Sequence, residues 1–225
     1  MTKKSHKRMD NERKLLLENK VPIYFIVFYM VGLVLFTVPI THEIFISITS
    51  FTLLLVIGIV FFFHKQWDTK TRIVFGAIML LSFLLEMVGV STGKLFGNYQ
   101  YDNGLGIKIF NTPIIIGLNW LFLVYATQAI AIKMTKQKIS IILIGSSLMV
   151  IYDLLMEYVA PTMNMWHFTT TYPPVENFVT WFLAAITFQT LLLTSKINVE
   201  NNTGRSLFWI QMVFFMIIGV FKSYL

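Results

Sequence analysis

Residues 139–160 read ISIILIGSSLMVIYDLLMEYVA. The run has the ~20 apolar residues an α-helix needs to cross the hydrocarbon of a bilayer. It also holds two carboxylates, Asp153 and Glu157, four residues apart and so on one helix face. Ionisable groups are expensive in hydrocarbon and usually mark function there.

Working outward, six further apolar runs are visible, at 22–40, 44–63, 73–92, 112–132, 175–194 and 207–221. The last is short, about 15 residues before Lys222, against the ~20 that span comfortably. Hydrophobic residues make up 56% of the 225 and charged residues only 13%, far from the composition of a soluble domain. Segments such as 52–63 are apolar without the alternation of a membrane β-barrel. The expectation is an all-α, polytopic integral membrane helical bundle of about seven transmembrane helices. A basic cytoplasmic tail, 1–21, precedes a single transmembrane domain, 22–225. The tail is polar and the first run long, so the first helix is expected to anchor itself rather than be cleaved. The chain has no cysteine, which excludes disulfides and thiolate metal sites.

The net charge of +7 is explained by topology without a nucleic-acid partner. Fifteen of the eighteen Lys and Arg residues precede the first run or follow the second, fourth and sixth; only Lys94, Lys108 and Lys222 fall on the other side. This positive-inside pattern predicts N-in/C-out and an odd number of spans. It places the Asn201-Asn202-Thr203 sequon inside, and His42 and His64 in short loops on opposite sides, where neither suggests a metal site. Trp67 and Trp209 read as interfacial residues.

With that orientation, Glu86, Asn119 and Asp153 each lie roughly 10 Å beneath the outer end of their own helix at ~1.5 Å per residue. Glu157 is one turn nearer the surface, and Glu176 and Asn177 open the sixth helix there, with Trp181 one turn below. Two outer loops flank this layer. One is glycine-rich and aromatic, from Gly93 through Tyr99 and Tyr101 to Gly106; the other, 161–174, carries Trp166, His167, Phe168 and Tyr172 without an acid or a lysine. Both read as lids over the acids. The alternative for the aromatics is an interfacial belt, and for each acid a hydrogen bond between helices, worth about 1 kcal/mol. Four acids at one end, beside two asparagines, favour a site.

Several chemistries are missing their residues. The seventh run has no internal lysine for a retinal Schiff base, and no GxSxG, HExxH or histidine cluster occurs. The Asp153–Glu157 pair lacks the second acidic motif of membrane prenyltransferases. What remains is carboxylic-acid chemistry in an apolar cavity, where desolvation favours the protonated acid. Such an acid can protonate an alkene to a tertiary carbocation, which aromatic faces and carboxylates stabilise. Water, a neighbouring double bond or a base then decides between hydration, cyclisation and isomerisation.

The order Glu86, Gly89, Thr92-Gly93, Phe96-Gly97, Tyr99 to Tyr101, Leu105-Gly106, Pro113 and Asn119-Trp120, followed by Asp153, Glu157, Trp166, Pro174, Asn177 and Trp181, resembles the integral-membrane carotenoid biosynthesis family, specifically the CruF-type carotenoid 1,2-hydratases. The likeness covers roughly 80–185. Tyr158 stands where a proline commonly follows the second acid, and Phe168 where a second tryptophan is frequent; both leave the carboxylates intact. The resemblance implies addition of water across the terminal 1,2 double bond of an acyclic (ψ) end group, with no redox cofactor.

The reading is therefore a cofactor-independent carotenoid hydratase with Glu86, Asp153 and Glu157 catalytic. Asp153 or Glu86 donates the proton, and the other, with Glu157, orients water. Asn119, Trp120, Trp166, Asn177, Trp181, Glu176, Tyr99 and Tyr101 are expected to bind substrate, and no metal is expected. The partners are lycopene, γ-carotene or a related carotenoid, water and membrane lipid, in the cytoplasmic (inner) membrane, with the site in its outer half. Two rivals stand beside it. A lycopene-cyclase-like enzyme would use Glu176, which follows Pro174-Val175 as in a Pro-x-Glu signature. A proton-coupled transporter or lipid-binding protein needs polar residues through the whole membrane, and the inner halves of the third, fourth and fifth spans offer little beyond Gln128, Ser146 and Ser147.

Overall fold

The computed structural model describes the backbone of residues 3–222 and the side chains of residues 16–222. Residues 1 and 2 of the expected basic tail, and the side chains of Lys3, Lys4, Lys7, Arg8, Arg13 and Lys14, lie outside those described. Among the described residues, seven helices are long and apolar enough to cross a membrane. They are α1 (Lys3–Thr37), α2 (Pro39–Phe62), α3 (Thr69–Thr92), α4 (Ile115–Met134), α5 (Lys138–Val159), α6 (Val175–Thr194) and α7 (Asn202–Lys222). The protein is a multi-pass, all-α membrane bundle.

The boundaries differ from the hydropathy runs where specific residues intervene. The first helix begins at Lys3 and passes through Pro22, so the backbone shows no border between tail and span at residue 21. It stops at Thr37 rather than residue 40 because Pro39 forces Val38 into extended backbone (φ −86°, ψ 117°) and starts α2 itself. Thr41 Oγ1 donates to Leu35 O at 2.9 Å, and His42 Nδ1 donates to Phe36 O at 2.8 Å. His42 therefore caps α1 from the first turn of α2 and is not in a loop. At the other end of α2, His64 is buried, with Nε2 donating to Gln66 O and Nδ1 2.9 Å from the Tyr125 hydroxyl. The seventh helix gains a full turn before residue 207, since Asn201 Oδ1 accepts from Gly204 N at 2.9 Å as a cap. The Asn201 side chain also donates to Val60 O and is 1% exposed, so the sequon is packed into the bundle. Trp209 consequently sits two turns inside α7 rather than at its end, on an exposed face.

The central element is α4, whose apolar window is 78% buried against 22–50% for the others. It packs against α2, α3, α5, α6 and α7, and is apolar all round as an enclosed helix must be. Exposed Leu, Ile, Val and Phe on the peripheral helices face outward, as expected for lipid.

One end of the bundle is closed by the two long loops. Strand β1 (Tyr99–Tyr101) and strand β4 (Trp166–Phe168) pair antiparallel, with Tyr101 opposite Trp166. A second pair, β2 (Lys108–Ile109) and β3 (Thr112–Pro113), leads into α4. Gly104 donates its N–H to Asn164 O at 2.7 Å, and a side chain there would strike the Asn164 and Met163 carbonyls. The paired strands were not legible as strands, because three-residue segments carry no usable period.

Candidate active site

Glu86 lies six residues before the end of α3, and Asp153 six residues before the end of α5, about 9 Å deep at 1.5 Å per residue. Both carboxylates are buried, at 3% and 2% exposure. One cavity of ≈ 30 Å³ is lined by Glu86, Asp153, Glu157, Asn119, Trp120, Asn177, Trp181, Tyr99, Tyr101 and Trp166. Ten of the eleven residues singled out from sequence thus converge. Glu176 does not: it occupies the first turn of α6 with an exposed side chain, while the adjacent Asn177, about 100° around the helix, turns inward.

The acids divide by their hydrogen bonds. Glu86 Oε2 accepts from the Tyr99 hydroxyl (2.6 Å) and the Tyr101 hydroxyl (2.9 Å), and Oε1 accepts from Trp120 Nε1 (2.9 Å). Alternation along β1 sends Tyr99 and Tyr101 to the same buried face and Gln100 to the exposed one. Burial first, and the Glu86 charge second, push both phenols well above the ordinary tyrosine value, so they remain donors. Lys108 Nζ donates to Tyr101 O at 2.6 Å and pins this strand from the rim.

Asp153 and Glu157 share one donor. Asn177 Nδ2 lies 3.0 Å from Asp153 Oδ2 and 3.2 Å from Glu157 Oε1, tying α6 to one face of α5. Trp166 Nε1 donates to Glu157 Oε2 at 2.9 Å. Among the described residues, Asp153 Oδ1 and the Asn119 side chain have no hydrogen-bonding protein partner, and Asn119 also lines the cavity. Trp120 and Trp166 are therefore donors to carboxylates as well as walls.

Beneath the acids, Trp120 stacks on Trp181 (centroids 3.9 Å apart, planes 17°) and meets Phe188 edge-on at 5.8 Å. This aromatic floor closes the cavity toward the other half of the bundle. The lid strands close it above, with His167 Nδ1 2.9 Å from Asp102 Oδ2 on the outer side. The free volume holds roughly two waters. Among the described residues, no group of three or more His, Cys, Asp or Glu side chains is arranged to hold a metal ion.

Three lining residues, Ile116, Tyr152 and Met156, escaped the sequence reading. Tyr152 precedes Asp153, and its hydroxyl donates to Gln211 Oε1 at 3.0 Å; Met156 lies on the same inner face of α5. The available signal for Tyr152 was Gln211, a polar residue in the otherwise apolar stretch 207–221 of α7, which needed a partner.

No curated protein and no solved structure matches the chain significantly. A family model described as carotenoid biosynthesis protein matches residues 44–224, a stretch that includes every residue of the cavity, α3 to α7 whole and α2 from residue 44. A role in carotenoid biosynthesis accords with a carboxylate cluster enclosed by aromatic rings inside a lipid-facing bundle, and the chain belongs to the carotenoid biosynthesis protein family.

Proposed function

We propose that the protein hydrates the terminal 1,2 double bond of an acyclic carotenoid end group, with Asp153 as proton donor. The observation that carries this reading is the Asn177 amide bridging Asp153 and Glu157 while Glu86 is held separately by three donors. One bridged pair can hand a proton out and take one back; the isolated acceptor can face positive charge.

The step balances without an outside reagent. A proton leaves the Asp153 carboxyl for C2 of the alkene, and the π electrons form the new C–H bond, leaving a tertiary cation at C1. The Glu86 carboxylate and the faces of Trp120 and Trp181 stabilise that cation. Water held by Asn119 and Glu157 attacks C1, and its surplus proton passes to Glu157 and back to Asp153 across the pair that Asn177 holds together. The product is a tertiary alcohol heavier by one water.

Cyclisation begins with the same protonation, and the Pro-x-Glu likeness that favoured it rests on Glu176, whose side chain is exposed outside the cavity. The orientation N-in/C-out, supported by the distribution of Lys and Arg, would place this chemistry in the outer half of the cytoplasmic membrane. The test is expression in bacteria that accumulate lycopene or γ-carotene, followed by chromatography and mass spectrometry of the pigments. A gain of one water is expected. A ring-containing isomer of unchanged mass replaces hydration with cyclisation, and unaltered pigments beside well-expressed protein reject the hydratase.

A further inference from the structure

A second cavity lies at the same end of the bundle, between α1, α2 and α7, and at ≈ 160 Å³ it is about five times the volume of the acid cavity. It is lined by Phe45, Leu53, Met163, Met165, Phe214 and Phe215, among others, and reaches the periphery at Val31, which is 54% exposed. Its few hydroxyls are engaged elsewhere. Thr49 Oγ1 donates to Phe45 O (2.8 Å) and Thr52 Oγ1 to Thr49 O (2.8 Å), while the Tyr29 hydroxyl accepts from Gln211 Nε2 (2.8 Å). A ligand here meets hydrocarbon and ring surface.

A third, small space of ≈ 20 Å³ shares lining residues with both cavities. Its lining overlaps the acid cavity at Ile116, Asn119, Tyr152, Met156 and Trp166, and overlaps the apolar cavity at Leu53, Met165 and Phe215. Two methionines, Met156 and Met165, stand along the neck, and their unbranched side chains re-pack readily.

Building on the hydratase reading, we propose that these three spaces form one channel, in which the apolar cavity between α1, α2 and α7 holds the long uncharged polyene while its end group passes the Met165 neck to the acids. The occupant is the chain of the reacting isoprenoid, because the cavity's lining runs continuously into that of the site. The substrate comes in sideways from the lipid past Val31. Length selectivity then resides in residues remote from the carboxylates.

The test uses the whole protein in lipid nanodiscs with a photoreactive isoprenoid bearing a diazirine at the end remote from its terminal double bond. Peptide mapping should place adducts on residues of the apolar cavity, and excess lycopene should suppress them several-fold. Gly32 lines this cavity, and an added Cβ there meets only Phe214 and Phe45 rings at 3.5–3.8 Å, so Gly32→Phe projects into the space. It should lower the kcat/KM ratio of long over short isoprenoids about tenfold, the effect of leaving part of an apolar chain unburied. Val31→Trp at the exposed mouth gives the same test without disturbing the core. Adducts confined to lipid-facing residues, or displaced by phospholipid but not by lycopene, overturn the channel. Labelling in the cavity without any hydrated product rejects the hydratase reading and keeps the channel; hydrated product with an unlabelled cavity does the reverse.

Discussion

Two of the polar clusters buried in this bundle are built on opposite principles. Toward one end, Gln128 Nε2 donates to Gln189 O (2.9 Å) and Oε1 (3.1 Å), and Gln189 Nε2 donates to Thr127 Oγ1 (2.7 Å) and Val124 O (3.2 Å). These groups are neutral, hydrogen-bond one another and leave little space: a Cβ on Gly145 would press on the Gln189 amide at 2.8–2.9 Å. Toward the other end, three carboxylates surround a cavity, with acceptor capacity left over at Asp153 Oδ1 and an uncommitted amide on Asn119. Polarity buried in a membrane protein is thus uninformative by itself. Neutral groups packed tightly and hydrogen-bonded to one another mark a structural pair, whereas carboxylates with surplus acceptors facing free volume mark a reactive site.

The sharpest way to break this contrast is to neutralise the acids. Asp153→Asn and Glu86→Gln should each lower hydrated pigment per unit of membrane protein by about 10²–10⁴-fold, the range for losing a general acid or its electrostatic partner, with protein still in the membrane. Near-normal turnover in both would remove the acids from the chemistry. Asn177→Ala separates Asp153 from Glu157 without touching either, and a loss of about 10²-fold is expected from the misplaced pair; kcat should fall more than KM rises. Tyr99→Phe removes one donor from Glu86 and should cost about tenfold, as one charge-assisted hydrogen bond does. Gln189→Leu is the converse experiment. Thermal unfolding in detergent should show a stability loss of about 1–2 kcal/mol with turnover retained, and a collapse of activity in a well-folded variant would erase the distinction between the clusters. Glu176→Gln should change turnover by less than about twofold, as an exposed substitution usually does.

Much of this was legible before any coordinates. Apolar runs of spanning length located the helices, and counting residues from their ends put Glu86 and Asp153 at one level. What escaped was directional. Hydropathy could not say that Asn177 turns inward and Glu176 outward, because adjacent residues on a helix differ by about 100° and both lay at the same rim. Nor did it pair Gln128 with Gln189, since contacts between helices 61 residues apart leave no local period. The end of α1 was misjudged because β-branched and apolar residues continue past Thr37, and only the backbone restriction of Pro39 ends the helix. The lid strands owe their pairing to each other, across 67 residues between Gln100 and His167, rather than to their own sequences.

That pairing also welds a door to the charges behind it. Tyr99 and Tyr101 on β1 donate to Glu86, and Trp166 on β4 donates to Glu157, so three of the donors that solvate the acids ride on the lid. Raising it as a unit would strip those carboxylates of hydrogen bonds worth about 1.5–3 kcal/mol each, and bulk water would have to replace them. The shut state is therefore self-reinforcing: ionisation behind the door tightens the latch, and a protonated interior loosens it. Traffic of a water-insoluble molecule need never test that latch if it travels through the wall instead.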